Sequence, residues 1–103
     1  MSDQDAIARF HAIWDGFSER ARLIREDRTV LAINSVAERE GLTTGVRCID
    51  APPSGSHAGC RANLALRDGC AQYDLSVNGK RMRFWIPMDG CEDLYVHFSL
   101  PIH

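Results

Sequence analysis

"AQYDLSVNGKRMRFWIPM", residues 71–88, alternates in polarity twice, once on each side of an Asn-Gly pair. Ala71, Tyr73, Leu75 and Val77 interleave with Gln72, Asp74 and Ser76, and after Asn78-Gly79 the residues Met82, Phe84, Ile86 and Met88 alternate again. A period of two is that of a strand with one face buried, and Asn-Gly suits a two-residue turn built on positive φ. Centring the turn there pairs Leu75 with Met82, Tyr73 with Phe84 and Asp74 with Arg83, so apolar groups meet on one face and opposite charges on the other. A slip of one residue would lose both matches. After "DGCED" a further strand places Leu94, Val96, Phe98 and Leu100 on one face and Tyr95, His97 and Ser99 on the other. The C-terminal third therefore reads as three antiparallel strands.

Upstream, "LIREDRTVLAIN" (23–34) has apolar-rich runs on both sides of a turn-like EDR, which predicts two short strands, about 20–26 and 29–34, joined at Asp27-Arg28. "SVAEREG" follows with the signals of a two-turn helix: Ser35 and Glu38 fit a capping box and Gly41 suits the left-handed C-terminal position. Residues 42–56 are rich in Thr, Gly, Pro and Ser and read as loop. "HAGCRANLALRD" (57–68) is a helix in which Cys60 and Leu64 share a face with Ala58 or Ala65, and Gly69 ends it. At the N-terminus, residues 3–18 form an amphipathic helix with Ile7, Phe10, Trp14 and Phe17 spaced 3, 4 and 3 apart, supported by Ala6 and Ile13 and capped by Ser2 or Asp3. That stripe must be buried, either on its own sheet or against the same helix of a second chain. The expected organisation is α+β, with the amphipathic helix at 1–19 and one five-stranded domain at 20–103.

A chain of 103 residues with 45% apolar and 25% charged side chains can build one core. No apolar run approaches the ~20 residues of a membrane span, and the acidic start "MSDQDAIARF" is unlike a secretory signal, so the cytoplasm is the expected compartment. A net charge of −2 with interspersed signs leaves no footprint for nucleic acid or an anionic membrane.

The order of these elements resembles the PAS domain family: two strands, a run of short helices, then three strands closing a five-stranded antiparallel sheet. The likeness covers residues 20–100. It is carried by the hairpin "RLIREDRTVLAIN", by Asn34 followed by Ala37 and Gly41, by Gly45, and by the Asn78-Gly79 hairpin. The stretch from Gly41 to Gly45 is shorter than usual in the family. The sequence also ends at "SLPIH", where most members continue into a linker helix and an output domain, so a complete chain of this length would act by binding another protein.

The resemblance implies a pocket between the inner sheet face and the short helices, for which Leu64, Leu75, Phe84, Ile86, Val96 and Phe98 are the candidate lining; plain core is the other reading of the same residues. Trp85, Tyr95 and His97 then fall on the outer face, where the stripe Ile7, Phe10, Trp14 and Phe17 would cover them, in the same chain or across a homodimer. Cys48, Cys60, Cys70 and Cys91 lack the close pairing usual in zinc and iron–sulfur sites. Cys70 and Cys91 fall at one end of the sheet, where a disulfide or shared metal needs Cα atoms within about 7 Å. Some PAS domains carry iron–sulfur clusters near the short helices, so a four-cysteine redox centre is an alternative reading. Haem is disfavoured, because His57 starts the 57–68 helix and the family's ligand lies nearer its end, at Leu64 to Gly69, where no histidine occurs. No cofactor is otherwise indicated.

No nucleophile elbow, phosphate loop or zinc-protease motif is present, so no enzyme is expected. The expectation is a sensory or regulatory module that binds a small ligand or a signalling protein and passes the signal through a homodimer interface. A cysteine redox sensor and a ligand-free dimerisation module are its alternatives.

Overall fold

The two alternating runs of 71–88 become strands in the register that charge and size matching demand. In the computed structural model, which describes residues 2–47, 60–76 and 78–102, β3 (Gln72–Leu75) pairs with β4 (Arg81–Pro87) as Leu75 with Met82, Tyr73 with Phe84 and Asp74 with Arg83. The charged pair is bidentate, Arg83 Nε to Asp74 Oδ1 and Nη2 to Oδ2, each 2.9 Å. At the turn Ser76 N–H donates to the Arg81 carbonyl at 2.8 Å, and Gly79 takes a positive φ of 71° while Asn78 does not. Asn78 serves the turn with its side chain, whose Oδ1 accepts from Lys80 N at 2.9 Å and from the Ser76 hydroxyl at 2.8 Å. A side chain that mimics a backbone turn removes the need for left-handed geometry at its own residue.

β5 (Leu94–Pro101) lies between β4 and β1 (Ala21–Arg25), and β2 (Val30–Ile33) closes the antiparallel order β2-β1-β5-β4-β3. In the β1–β2 turn, Arg25 N–H donates to the Thr29 carbonyl at 2.9 Å and Arg28 N–H to the Arg25 carbonyl at 2.7 Å. Arg28 has φ 77°, the one positive value at a non-glycine among the described residues. Outside β2, Val30 exchanges backbone hydrogen bonds of 2.8 Å with Val46 and Gly45, and Thr29 bridges to Arg47.

Helix α1 (Asp3–Trp14) starts with a complete capping box between Ser2 and Asp5, and two carboxylates in its first turn favour the helix dipole. It ends four residues before the expected boundary at 18. Ala6 and Phe10 are fully buried against Ala21, Leu23, Ala32, Leu94, Val96 and Phe98, with Ile7, Trp14 and Phe17 packed around them. The stripe thus covers the sheet of its own chain, and the buried Phe10 alone contributes roughly 2 kcal/mol. α2 (Ser35–Arg39) is capped by Asn34, whose Oδ1 accepts from Ala37 N, rather than by the expected Ser35 box. α3 (Ala62–Asp68) lies on the opposite sheet face and buries Ala62 and Ala65, while Leu64 is half-buried outside both cores. The expected start of this helix at His57 lies outside the described residues.

Asn34 is fully buried and uses its whole amide. Oδ1 accepts from Ala21 N at 2.9 Å and Ala37 N at 3.1 Å, and Nδ2 donates to the carbonyls of Trp14 at 2.9 Å and Glu19 at 2.8 Å. Asn34→Ala leaves four backbone groups without that partner, so it should lower the unfolding free energy by about 2–4 kcal/mol, read as a fall in the urea midpoint at unchanged slope.

Candidate functional site

The sheet divides the described side chains into two cores whose membership follows strand parity on β1, β4 and β5, while on β2 Leu31 and Ala32 join one core and Val30 and Ile33 the other. The α1 face carries Leu23, Phe84, Ile86, Leu94, Val96 and Phe98; the α3 face carries Ile24, Trp85 and Tyr95 with Ala62 and Ala65. This corrects the expected assignment. Phe84, Ile86, Val96 and Phe98 lie on the α1 side of the sheet and not beneath α3, and Trp85 and Tyr95 are covered by α3 and not by the aromatic stripe. Size complementarity is the physical reason. The large side chains of α1 need the shallow floor made by Ala21 and Ala32, whereas the two alanines of α3 fit over a face already occupied by an indole and a phenol.

On the α3 face, polar groups are stacked as well as paired. The Arg83 guanidinium lies 5.1 Å above the Trp85 ring, and Trp85 stacks on His97 of β5 at 5.1 Å and 15°. His97 Nδ1–H donates to the Phe84 carbonyl at 2.8 Å, which fixes the ring against the sheet. Arg61, preceding α3, reaches Asp74 Oδ2 at 3.3 Å, so Asp74 serves two arginines. Among the described residues no buried side-chain polar atom lacks a hydrogen bond.

On the α1 face an aromatic row crosses the sheet. Trp14 and Phe17 each lie 5.1 Å from Phe98, Phe98 stacks on Phe84 at 4.9 Å, and Phe84 meets Tyr73 at 6.2 Å. α1 packs over the β1 and β2 side. At the other edge Tyr73 is 66% and Leu75 53% exposed, and Ile13 on α1 is 65% exposed. Leu75, expected as pocket lining, therefore belongs to an uncovered surface. The sequence reading missed this row as a unit, although the pairing of Tyr73 with Phe84 already placed its outer half on one face.

A groove of about 440 Å³ lies between α1, β2, α2 and residues 42–44, with Ile7, Leu31, Ala32, His11 and Glu38 among its lining. It is open to solvent, and His11 Nδ1 is engaged with Asp15 at 2.9 Å.

Cys60, Cys70 and Cys91 are thiols outside any disulfide, so the Cys70–Cys91 bond that their place at one end of the sheet made conceivable is not formed. Cys60 packs on the α3-side core and Cys91 on the α1-side core, which puts the thickness of the sheet between them. Cys70 is exposed, and Cys48 lies outside the described residues. The described residues contain no group of three or more His, Cys, Asp or Glu side chains poised around one metal position, and no helix among them is long and apolar enough to cross a membrane.

Burial pushes the Asp74 carboxyl up, but hydrogen bonds and charge from Arg83, with Arg61 behind, outweigh it and hold the group below its ordinary value. A depressed folded-state pKa adds stability that is present above the unfolded value of about 3.9 and is lost as pH falls through the folded value. Asp74→Asn should therefore be less stable at neutral pH and show a flatter loss of stability below about pH 4, measured by urea unfolding across an acid series.

Comparison with protein-family models and with curated proteins gives no match. Among solved structures the chain is similar to the crystal structure of a sensory box sensor histidine kinase from Vibrio cholerae, with a TM-score of 0.65 at 13% identity over 97% of this chain and 95% of that one. The fold is PAS-like: α+β, with a five-stranded antiparallel sheet and its helices packed on the two faces.

Proposed function

We propose that this chain is a PAS-like sensory module whose output is a change in its association with a second copy of itself. The observation that carries the reading is the uncovered end of the aromatic row. Tyr73 and Leu75 stand exposed beside Phe84, and Ile13 stands exposed on the helix that covers the rest of that face. Exposed aromatic and aliphatic groups continuous with a core favour a partner surface. A two-fold arrangement laying α1 of one copy over β3 of the other buries both ends of the row in one isologous contact.

The input belongs on the other face. α3 is a seven-residue helix that meets the sheet through two buried alanines, with Cys60 packed on the same core, so a small ligand or a thiol reaction at Cys60 acts directly on this helix. Signalling then consists of a change at α3 that alters the α1 face, a population shift driven by differential affinity for the two arrangements.

Sedimentation over a range of concentrations should show a reversible dimer. Leu75→Glu should weaken it by at least about tenfold while leaving the circular dichroism spectrum unchanged. The mass of one chain at every concentration would count against the reading.

A further inference from the structure

The turn between β1 and β2 carries two arginines that reach to opposite helix layers. Arg25, the last residue of β1, donates to Asp93 at 2.8 Å and to Asp3 in the first turn of α1. Arg28 donates through Nη2 to Asn63 of α3 at 3.0 Å and through Nη1 to the Glu26 carbonyl at 2.6 Å, and its guanidinium lies 5.8 Å from the centre of the Tyr95 ring. The two arginines are joined through the backbone, with Arg28 N–H donating to the Arg25 carbonyl at 2.7 Å. One short turn therefore holds α1 with one arm and α3 with the other.

The backbone of Arg28 sets this turn apart. A φ of 77° lies in the left-handed region, which disfavours any residue with a Cβ and which turns of this kind usually give to glycine. Such a conformation persists where surrounding contacts over-determine it. At Arg28 the contacts that leave the turn run to Asn63 on α3 and to the Tyr95 ring on β5.

We infer that the 25–29 turn is a relay between the two helix layers. While Arg28 grips Asn63, the turn keeps its left-handed residue and Arg25 is held toward Asp3 and Asp93. When α3 moves and the grip is lost, Arg28 relaxes toward negative φ, the turn rebuilds, and the hold of Arg25 on α1 weakens. The turn is a two-state element whose balance both helices bias, the condition for energetic coupling between distant sites. The relay rests on the reading that signals pass from the α3 side to the α1 side, and it supplies the route.

Amide hydrogen exchange on the full chain tests it, at a concentration where sedimentation shows monomer alone. Asn63→Ala should raise exchange in α3 and also in residues 7–14 of α1, each by about two- to fivefold, the scale of a lost surface contact. In an Arg25→Gln background the same substitution should raise exchange in α3 but not in α1. Unchanged α1 rates in Asn63→Ala, or an equal rise in both backgrounds, would overturn the relay. Because the measurement is made on monomer, either result is separate from the dimer, which stands or falls on sedimentation.

Discussion

The architecture depends on one buried amide. Asn34 ends the first hairpin, and its side chain binds the start of β1, the first turn of α2, the last residue of α1 and the segment between α1 and β1. The site requires two acceptances and two donations in a single plane. A carboxylate could satisfy the first pair only, and an aliphatic group of the same shape neither. By gathering the Trp14 and Glu19 carbonyls it fixes where the chain leaves α1, and so sets that helix down on its own sheet.

From that point the sheet works as a partition. The α1 layer is bulky and meets Ala21 and Ala32 among larger residues, while the α3 layer is thin and laid over Trp85 and Tyr95. The two cores do not mix, and the thiols follow the same division, with Cys60 on one side and Cys91 on the other. The PAS-like fold shared with the sensory box kinase structure keeps the two layers apart while the strands between them stay common to both.

What could be read from the sequence was the part fixed by pairwise chemistry. Asp74 had to meet Arg83, and that requirement set the register of β3 on β4 without any knowledge of the rest. The alternation of β4 and β5 likewise separated Phe84, Val96 and Phe98 from Trp85, Tyr95 and His97. It was silent on which set faced which helix, because both sets are large and mostly apolar. The deciding signal was the size pattern on the other elements: Ala21 and Ala32 under the aromatic helix, Ala62 and Ala65 above the aromatic face. The cap at Asn34 was hidden by the better-known signature at Ser35 and Glu38. Arg28 went unnoticed for a similar reason, although the lack of any glycine in "REDRT" was a visible sign that some other residue must adopt the unusual backbone.

The strand edges have a further consequence for how such a module assembles. Hydrogen bonds from Val46 and Gly45 occupy the outer side of Val30, and α2 begins two residues after β2 ends, so the β2 edge offers too short a stretch of open backbone to template another strand. The opposite edge is β3, only four residues long and bearing Asp74. A sheet guarded at both margins resists the edge-to-edge growth that leads to fibres. Edge-to-edge pairing between copies of this chain is thereby disfavoured.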